Sequence, residues 1–405
     1  MTASFDYVTG FGEGVEPLCE REAMVFDYSE DHCESDPFHF PDAPARAFRD
    51  DRGRVQLILA SRHTRRMVGP TLDSVSVEPG CEVVFPSHDN ADHTTYDNLE
   101  WITATHTADG RTVHALVHNE YHGWEHSPEC RNERLCWLNS VTLATSTDGG
   151  ASYAHAPAPQ HGVATFPYRY APNTGPLGFF MPSNIVERDG RYHALVRALN
   201  GPRDAPAYPA QVRGNVLIAT HELADARSWR GWDGSGFNVS FADPYRDSVE
   251  PERHVMRPVS TDPPRDGRDR PASDYGAGEM TESLTFNTHF GRYLLAGVSW
   301  KPSPDSGEPV WGVYYSLSDD LVEWSERRLL AAAHPFYLRV TDPERPHAIL
   351  YPALLDPASD DRNFATTGRV NDLYFTVYHY RLNERGRYVV DGKNRDLVKL
   401  SFAFG

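Results

Sequence analysis

The sequence contains no long apolar run and no leader-like N-terminus. No stretch approaches the roughly 20 apolar residues that a membrane helix needs. The first residues, MTASFDYVTG, lack the basic and apolar regions of a signal peptide. We therefore expect a soluble protein without membrane contacts, located in the cytoplasm or secreted with its signal peptide absent from this chain.

Lysine is scarce, and negative charge is in excess. Only Lys301, Lys393 and Lys399 are lysines, and 57 Asp and Glu against 39 Lys and Arg give a formal net charge of -18. Such a surface repels nucleic acids and anionic membranes at long range, so we expect neither as a partner. A neutral substrate is easier to accommodate, and we expect a monomer or a small homo-oligomer.

Cysteine is also rare and forms no recognisable metal motif. The chain has 5 cysteines, and their spacing fits no zinc site. Cys130 and Cys136 stand close enough in ECRNERLCW to bridge a short loop, but two buried free thiols explain them equally well. The sequence therefore predicts no metal ligands and leaves the state of these two cysteines open.

Long helical periodicity is absent as well. No long window places apolar residues at i, i+3, i+4 and i+7. The composition instead favours strands and turns, with 40% hydrophobic residues, 12% aromatic residues, 30 Gly and 31 Pro. The length of 405 residues fits two or three average domains or one large all-β domain.

A recurrent unit runs along the chain. Each copy has a polar start, a short apolar strand, a turn and a second apolar strand, as in TESLTFNTHFGRYLLAG with its turn at Gly291. The five copies occupy residues 44–61, 97–120, 182–198, 281–297 and, in a degenerate form, 351–380. Such a repeat indicates one structural unit used five times.

Strand pairs of a second kind follow the copies. Segments such as SVTLATSTDGGASYAHA and WGVYYSLSDDLVEWSERRLL alternate apolar and polar residues, turn at Asp or Gly and resume with an aromatic residue. Four short strands per unit, repeated five times, predict an all-β chain with a five-bladed β-propeller over residues 38–405. Residues 1–37 would pack across it as a strap, and the C-terminal DLVKLSFAFG would close the ring.

Two local patterns belong to this architecture. Residues 244–278, rich in Pro, Arg and Asp, predict a surface loop that could serve as a lid. The turn from Ser146 to Tyr153 matches the aspartate box of sialidase-type propellers, in which the Asp, here Asp148, caps its own turn and the aromatic residue packs between strands. This motif is structural, so it predicts no catalytic role.

The polar residues that begin the repeats are the main candidates for chemistry. In a propeller the innermost strands line one central funnel, so residues at corresponding strand starts converge. These residues are Asp42, Glu100, Glu282 and the pair Ser183 and Asn184. Hydrolysis of a glycosidic bond needs one carboxyl as acid and one as base or nucleophile, and crowding raises the pKa of one of them. The alternative is that they form ion pairs with Arg46, Arg197 or Arg213.

The chain resembles the five-bladed propeller glycoside hydrolases, the superfamily of families 43, 62, 32 and 68, over about residues 38–405. The resemblance implies a catalytic Asp42 on the first inner strand, in FPDAPARAF, and a general-acid Glu282 on a later one, in GEMTESLTF. Families 43 and 62 invert, whereas families 32 and 68 retain. An early Asp and a late Glu are closest to family 43, so we expect inversion.

This resemblance implies a glycoside hydrolase or transglycosidase that cleaves a furanoside- or pentose-rich glycan, similar to an arabinofuranosidase. It requires no cofactor and leaves room for a structural calcium in the funnel. Family 43 usually carries a third carboxylate, which tunes the acid, where this chain has Ser183 and Asn184. A different family on the same fold is therefore indicated.

The densest polar segment is HALVHNEYHGWEH, residues 114–126. His118, Glu120 and His122 alternate on one face of a predicted strand end. They could bind a metal, contact sugar hydroxyls, supply the missing third carboxylate as Glu120, or form a satisfied structural cluster. We favour sugar binding, with Glu120 catalytic and in the funnel with Asp42 and Glu282. The residues expected to bind substrate are His118, His122, Glu100, Trp101, Asn184, Ser183, Arg46 and Tyr351.

Two other functions compete with this one. A non-catalytic carbohydrate-binding propeller would carry near-identical pockets in every blade, whereas the five blade starts here differ. A lyase or isomerase would use His118 or His122 as its base on the same scaffold.

Overall fold

A computed structural model describes residues 5–202, 204–259 and 280–405. These residues form 27 β-strands and only short helical turns, which confirms the predicted all-β class. None of the helices in this described part is long and apolar enough to cross a membrane. Of the predicted lid loop, residues 260–278 lie outside the described residues.

The strands of the first part of the chain are β1 (Val8–Phe11), β2 (Val15–Pro17), β3 (Ala23–Phe26), β4 (Arg46–Arg49), β5 (Val55–Leu59), β6 (His63–Gly69), β7 (Ser76–Val77), β8 (Phe85–Pro86), β9 (Leu99–His106), β10 (Val113–His122), β11 (Trp137–Ser146), β12 (Ala154–His155) and β13 (Gly162–Ala164). They continue as β14 (Leu177–Phe180), β15 (Val186–Arg188), β16 (Arg191–Asn200), β17 (Gly214–Thr220), β18 (Arg230–Gly231), β19 (Val239–Ser240), β20 (Ser283–Asn287), β21 (Arg292–Pro302), β22 (Pro309–Ser318), β23 (Arg328–Ala333), β24 (His347–Leu355), β25 (Thr366–Thr367), β26 (Val370–Leu382) and β27 (Tyr388–Phe404). The helical turns are α1 (Tyr28–Asp31), α2 (Gly123–His126) and the 3-10 turns Leu72–Ser74, Arg134–Cys136, Ala226–Ser228 and Pro251–His254.

The chain divides into two compact units. The first unit comprises Met1–Ser61, Arg65–Glu82 and Thr261–Gly405, and the second comprises Arg62–Thr64 and Val83–Ser260. The predicted single domain over residues 38–405 and the count of five blades stay predictions.

Three sheets build the first unit. One is the antiparallel series β4-β5-β6-β7, and another has the order β1-β23-β22-β21-β20-β25, in which only β20 and β25 run parallel. The third has the order β2-β27-β26-β24, with β3 also paired to β27. The C-terminal strand β27 therefore lies between β26 and the N-terminal strands β2 and β3.

The third sheet is apolar on both faces. Successive residues of a strand point to opposite faces, and the neighbours Tyr374 and Phe375 of β26 are both fully buried. Tyr374 packs with Phe26 and Leu57 in one core cluster, whereas Phe375 packs with Val8 in another. This explains why β26 reads as the almost continuous apolar run LYFTVY, the pattern of a strand that is covered on both sides.

One extended sheet builds most of the second unit. Its main path is β9-β10-β11-β14-β16-β17-β18-β19, and β12, β13 and β15 pair at its side. The path is antiparallel except where β11 and β14 run parallel, with Leu138 opposite Leu177. Its apolar core gathers side chains such as Leu116, Phe179 and Trp229.

All five repeat copies are two-stranded antiparallel units. The four regular copies form the hairpins β4-β5, β9-β10, β15-β16 and β20-β21, and the degenerate copy pairs β24 with β26. Their turn glycines, Gly53, Gly110, Gly190 and Gly291, all have positive φ, between 64° and 80°. That backbone region costs glycine little, so the glycine fixes where each hairpin turns.

Two disulfides close loops within the units. Cys130 and Cys136 are bridged, which settles the alternative that their spacing left open. Cys33 and Cys81 form a second bridge with a sequence separation of 48, which ties the N-terminal segment to the loop after β7. Cys19 is the free cysteine.

The aspartate box folds as its pattern predicts. Asp148 Oδ1 accepts a hydrogen bond from the Ser152 backbone N–H at 2.9 Å and one from the Ser146 hydroxyl at 2.7 Å. Asp148 Oδ2 accepts from the Ser152 hydroxyl at 2.7 Å, and Tyr153 is buried. The Asp148 carboxylate thus stabilises the turn by accepting hydrogen bonds from the backbone and side-chain donors within it.

We expect Asp148→Ala to lower the free energy of unfolding by about 1 kcal/mol, because it removes the acceptor of three hydrogen bonds at an exposed turn. Urea unfolding followed by tryptophan fluorescence measures the change. Asp360→Ala is the matched control, since Asp360 is an exposed loop carboxylate, and it should leave the midpoint within error. Equal midpoints for Asp148→Ala and the parent chain would contradict the capping role.

Candidate active site

Asp42 lies in the first unit, just before β4. Its backbone N–H donates to the Ala60 carbonyl at 2.8 Å, which fixes the approach to the strand. Arg395 of β27 forms an ion pair with Asp42 Oδ1, and the Tyr378 hydroxyl of β26 donates to the same oxygen at 3.3 Å. The Asp42 side chain keeps 20% of its surface exposed, so the anion is both held and reachable from solvent.

Arg395 is itself held by aromatic rings. Its guanidinium carbon lies 4.3 Å from the ring centre of Phe40 and 4.5 Å from that of Tyr378. Burial alone would lower the pKa of Arg395, but the neighbouring Asp42 raises it above its ordinary value. Arg395 is therefore a fixed positive charge beside the Asp42 carboxylate.

Tyr351 reaches this group through an irregularity in β24. The pairing of β24 with β26 shifts register between Leu350 and Ala353, and Tyr351 there has φ of 57°. A bulky residue rarely adopts this left-handed conformation, and such a bulge redirects a side chain. The Tyr351 and Tyr378 ring centres are 6.5 Å apart. Burial raises the pKa of both hydroxyls, so both stay protonated and able to donate.

Glu282 also lies in the first unit, one residue before β20. Its side chain is almost fully buried, and Oε2 accepts from the Thr281 backbone N–H at 2.9 Å. Its main-chain carbonyl accepts from the guanidinium of Arg46 in β4 at 2.5 Å. Burial lowers the pKa of Arg46 to about 9, and Glu282 opposes that shift. Arg46, expected to bind substrate, is thus buried against Glu282.

The second unit holds Glu120 between two imidazoles. Glu120 Oε1 is 2.7 Å from His118 Nε2, and Oε2 is 2.8 Å from His122 Nε2, so the three side chains share one face of β10 as their alternation predicts. Asn119 points the other way, where it bonds Asn98 and Ser140. Both oxygens of Glu120 therefore have cationic or donating partners.

The protonation states in this cluster follow from these contacts. Burial alone would raise the pKa of Glu120, but the hydrogen bonds from His118 and His122 hold it at about 2. Burial alone would lower the pKa of His122, but Glu120 and Glu125 raise it above its ordinary value. The His118 Nδ1 accepts from the Met181 N–H at 3.3 Å, so its other nitrogen, Nε2, is the donor of the hydrogen bond to Glu120 Oε1.

The remaining predicted site residues lie in the second unit in more enclosed positions. Glu100 is fully buried in β9 and contacts His88 and His155. Trp101 is mostly buried, with its ring centre 6.1 Å from that of His118. The Ser183 hydroxyl accepts from the Leu195 N–H and donates to the carbonyl of the buried Asn184, so it serves the main chain. We therefore leave Ser183 out of the proposed site.

Asp42 and Glu282 fall in one compact unit, and Glu120 falls in the other. Arg46, at the start of β4 shortly after Asp42, donates to the main-chain carbonyl of Glu282. The carboxyl separation of Asp42 and Glu282, and the sharing of one funnel by all three carboxylates, stay predictions. Sequence reasoning missed Arg395, Tyr378 and Phe40 around Asp42.

No protein-family model matches this sequence, and no curated protein is similar to it. Among solved structures, the chain is similar to the catalytic domain of a GH62 alpha-L-arabinofuranosidase from Coprinopsis cinerea, with 11% identity, a TM-score of 0.46 and coverage of 94% of this chain and 95% of that one. It is also similar to an alpha-L-arabinanase from Penicillium chrysogenum, with 11% identity, a TM-score of 0.41 and coverage of 95% and 98%. A third is an N-acetylgalactosamine deacetylase from F. plautii, with 9% identity, a TM-score of 0.46 and coverage of 96% and 95%.

The chain is thus similar to glycoside hydrolases, family 62 among them, as the sequence indicates. Likeness at these values carries no information on activity. The function must be inferred from the chain's own side chains.

We expect Glu120→Gln to reduce the fall in the free energy of unfolding that the parent chain shows as the pH drops below about 4.5. The folded-state pKa of Glu120 is about 2 against an ordinary 4.5, so its ionised form stabilises the fold above about pH 4.5, and that contribution is lost as the pH falls towards 2. Urea unfolding at half-unit steps from pH 6 to about pH 2.5 measures the slope. Glu384→Gln, at an exposed turn, should keep the parent slope. Parallel profiles for the parent and Glu120→Gln would contradict a stability contribution from the ionised Glu120.

We expect Gly297→Ala to displace the Glu282 carboxylate. A Cβ at position 297 would lie 2.2 Å from Glu282 Oε2 and 2.9 Å from the Met280 Cα, so the side chain or the main chain must move. Overpacking of this kind costs about 1–3 kcal/mol, which thermal unfolding detects. Gly10→Ala is the matched control, because a Cβ there meets nothing within 4 Å. A crystal structure of Gly297→Ala with Glu282 unmoved would disprove the expectation.

Proposed function

We propose that the protein is a glycoside hydrolase, with Asp42 and Glu282 as its catalytic carboxyls, acting on a furanoside- or pentose-rich glycan. The observation that carries the proposal is the contrast between the two environments. The Asp42 carboxylate is partly exposed and forms an ion pair with Arg395, whereas the Glu282 carboxyl is almost fully buried, with Arg46 bound to its main-chain carbonyl. Pairs of carboxyls whose environments differ in this way divide into acid and base.

Asp42 takes the role that needs a carboxylate. Arg395 forms an ion pair with it, and the Tyr378 hydroxyl donates to the same oxygen, Oδ1. The exposed fifth of its side chain leaves room for a water or a sugar carbon. We propose that it acts as the base of an inverting reaction, for which the separation from Glu282 should be about 6.5–9.5 Å, since about 5–5.5 Å would imply retention.

Glu282 takes the role that needs a proton. Its carboxyl is almost fully buried and stands one residue before β20, where the resemblance to the propeller hydrolases implies the general acid. The contact of Arg46 with the Glu282 main chain holds the residue in place at the strand start. The acid would donate its proton to the glycosidic oxygen as the bond to the leaving sugar breaks.

Tyr351 and Tyr378 are further polar side chains near Asp42. Their phenols remain protonated, so Tyr351 is placed to donate to a sugar hydroxyl next to Asp42. Its ring also offers an apolar face for a furanose ring. We therefore keep Tyr351 as a substrate-binding residue, which the sequence predicted.

The second unit contributes differently. With a pKa of about 2, Glu120 is an anion at any working pH, so it can accept hydrogen bonds from sugar hydroxyls but does not serve as a general acid. We propose this accepting role for it. The same contacts disfavour the lyase alternative, because both nitrogens of His122 face carboxylates and both nitrogens of His118 are engaged.

The test is a screen of the purified protein against plant, fungal and mycobacterial glycans and aryl furanosides, followed by variants on the best substrate. Asp42→Asn and Glu282→Gln should each lower turnover on the glycan by about a hundredfold or more, because each removes a proton-transfer group. Glu282→Gln should lose far less on an aryl glycoside whose leaving group needs no proton, whereas Asp42→Asn should fail on both.

Asp360→Asn and Glu384→Gln, both exposed, are the controls and should keep parent turnover. Near-normal activity of Asp42→Asn and Glu282→Gln, with activity abolished by Glu120→Gln, would move the catalytic centre to the His118, Glu120, His122 cluster. Tight glycan binding without turnover of any substrate would favour the carbohydrate-binding alternative.

A further inference from the structure

We propose that His88, Glu100 and His155 bind a divalent transition-metal ion, with Zn²⁺ as the probe. This site lies entirely in the second unit, differs from the Asp42 and Glu282 pair, and goes beyond the proposed hydrolysis. It also departs from the sequence analysis, which assigns no metal ligands and places Glu100 among the residues expected to bind substrate.

The three side chains converge on one point. Each side chain offers one ligand atom, a ring nitrogen from each histidine and a carboxylate oxygen from Glu100. These three atoms lie within 4.8 Å of one another. His88 Nδ1 is 2.7 Å from Glu100 Oε2, and His155 Nε2 is 3.1 Å from Glu100 Oε1. Ligand atoms around a tetrahedral zinc lie about 3.3 Å apart, because its bonds to nitrogen and oxygen are about 2.0–2.2 Å. The two separations from Glu100, 2.7 and 3.1 Å, are near this value.

A backbone carbonyl holds the ring of His155. His155 Nδ1 lies 3.1 Å from the Ala156 carbonyl oxygen, and His155 Nε2 lies 3.1 Å from Glu100 Oε1. A carbonyl that accepts from one ring nitrogen, while the other nitrogen faces the ion, is a usual feature of metal-binding histidines. A bound metal would take the place of the hydrogen between the imidazole and the carboxylate, because metal binding to histidine releases protons.

The other histidine and glutamate cluster is built differently. In the part of the chain that the structure describes, His88, Glu100 and His155 bring three ligand atoms within 4.8 Å of one another, and His118, Glu120 and His122 do not. In that second cluster Glu120 lies between two imidazoles that each contact a different carboxylate oxygen. The geometry therefore favours the His88, Glu100, His155 group as the metal site.

The surroundings hold the ligands in position. The Glu100 N–H donates to the Ser87 hydroxyl at 2.6 Å, and the His88 N–H donates to Glu100 Oε2 at 3.1 Å. The His155 ring stacks on His161, with ring centres 4.1 Å apart and planes 12° apart. Such support keeps a ligand set in its binding geometry before the ion arrives.

The site is closed at one end and open at the other. The Glu100 side chain is fully buried and that of His155 is 7% exposed, whereas the His88 side chain is 45% exposed. An ion can therefore enter at His88, and three protein ligands leave a position for water. Two imidazoles and one carboxylate suit zinc and its neighbours in the first transition row better than calcium, which prefers oxygen ligands.

The experiment titrates Zn²⁺ into the chelator-treated full chain by calorimetry and repeats the titration with Co²⁺ followed by visible absorption. We expect about one ion per chain and the absorption of a tetrahedral cobalt site. His155→Ala should abolish binding, and His88→Ala should weaken it by about tenfold or more. Because His88 is half exposed, that variant should fold even where changes at the buried Glu100 or His155 do not.

Two matched controls separate this site from other histidines. His289→Ala removes an exposed imidazole, and His122→Ala removes one from the Glu120 cluster, and both should bind zinc as the parent does. The proposal is overturned if the parent chain binds no zinc, if His88→Ala binds it with parent affinity, or if His122→Ala is the variant that loses it. Glycan turnover is not the readout, so failure here leaves the Asp42 and Glu282 proposal intact.

Discussion

The ion pair between Arg395 and Asp42 is the interaction on which the candidate active site depends. A buried guanidinium is costly unless it has both an anion and a favourable surface around it. Asp42 supplies the charge, and the faces of Phe40 and Tyr378 supply the surface. Each partner comes from a different part of the chain, so the pair also joins the start of β4 to the long strands β26 and β27.

In the second unit, histidines take the place that Arg395 has beside Asp42. Each carboxylate oxygen of Glu120 contacts one imidazole, Oε1 that of His118 and Oε2 that of His122. Burial alone would lower the pKa of His122, but Glu120 and Glu125 raise it, whereas the pKa of Arg395 lies far above the working pH. The carboxylates of the two units are therefore held by partners of different basicity.

Much of the local architecture was predictable because it is set by short-range patterns. Hairpins follow from alternation around a glycine that turns easily, and the shared face of His118, Glu120 and His122 follows from the two-residue period of a strand. The partners of Asp42 were not predictable. Arg395 stands in DGKNRDLVKL, an ordinary polar strand in the sequence, and only the pairing of β27 with β26 brings it to Asp42. His88 and His155 were missed for the same reason, because no short-range pattern links them to Glu100.

The pairing of β27 with β2 and β3 has a consequence for the order in which the chain folds. The strands β2 and β3 are synthesised first, but they cannot pair with β27 until that strand, the last of the unit, has been synthesised. The second unit has no such dependence, because nearly all its strands lie in the continuous segment from Val83 to Ser260. During synthesis the middle of the chain can therefore reach its hydrogen-bonded form while the N-terminal strands still lack β27. Exposed strand edges in that interval are where a chaperone or a wrong partner would bind.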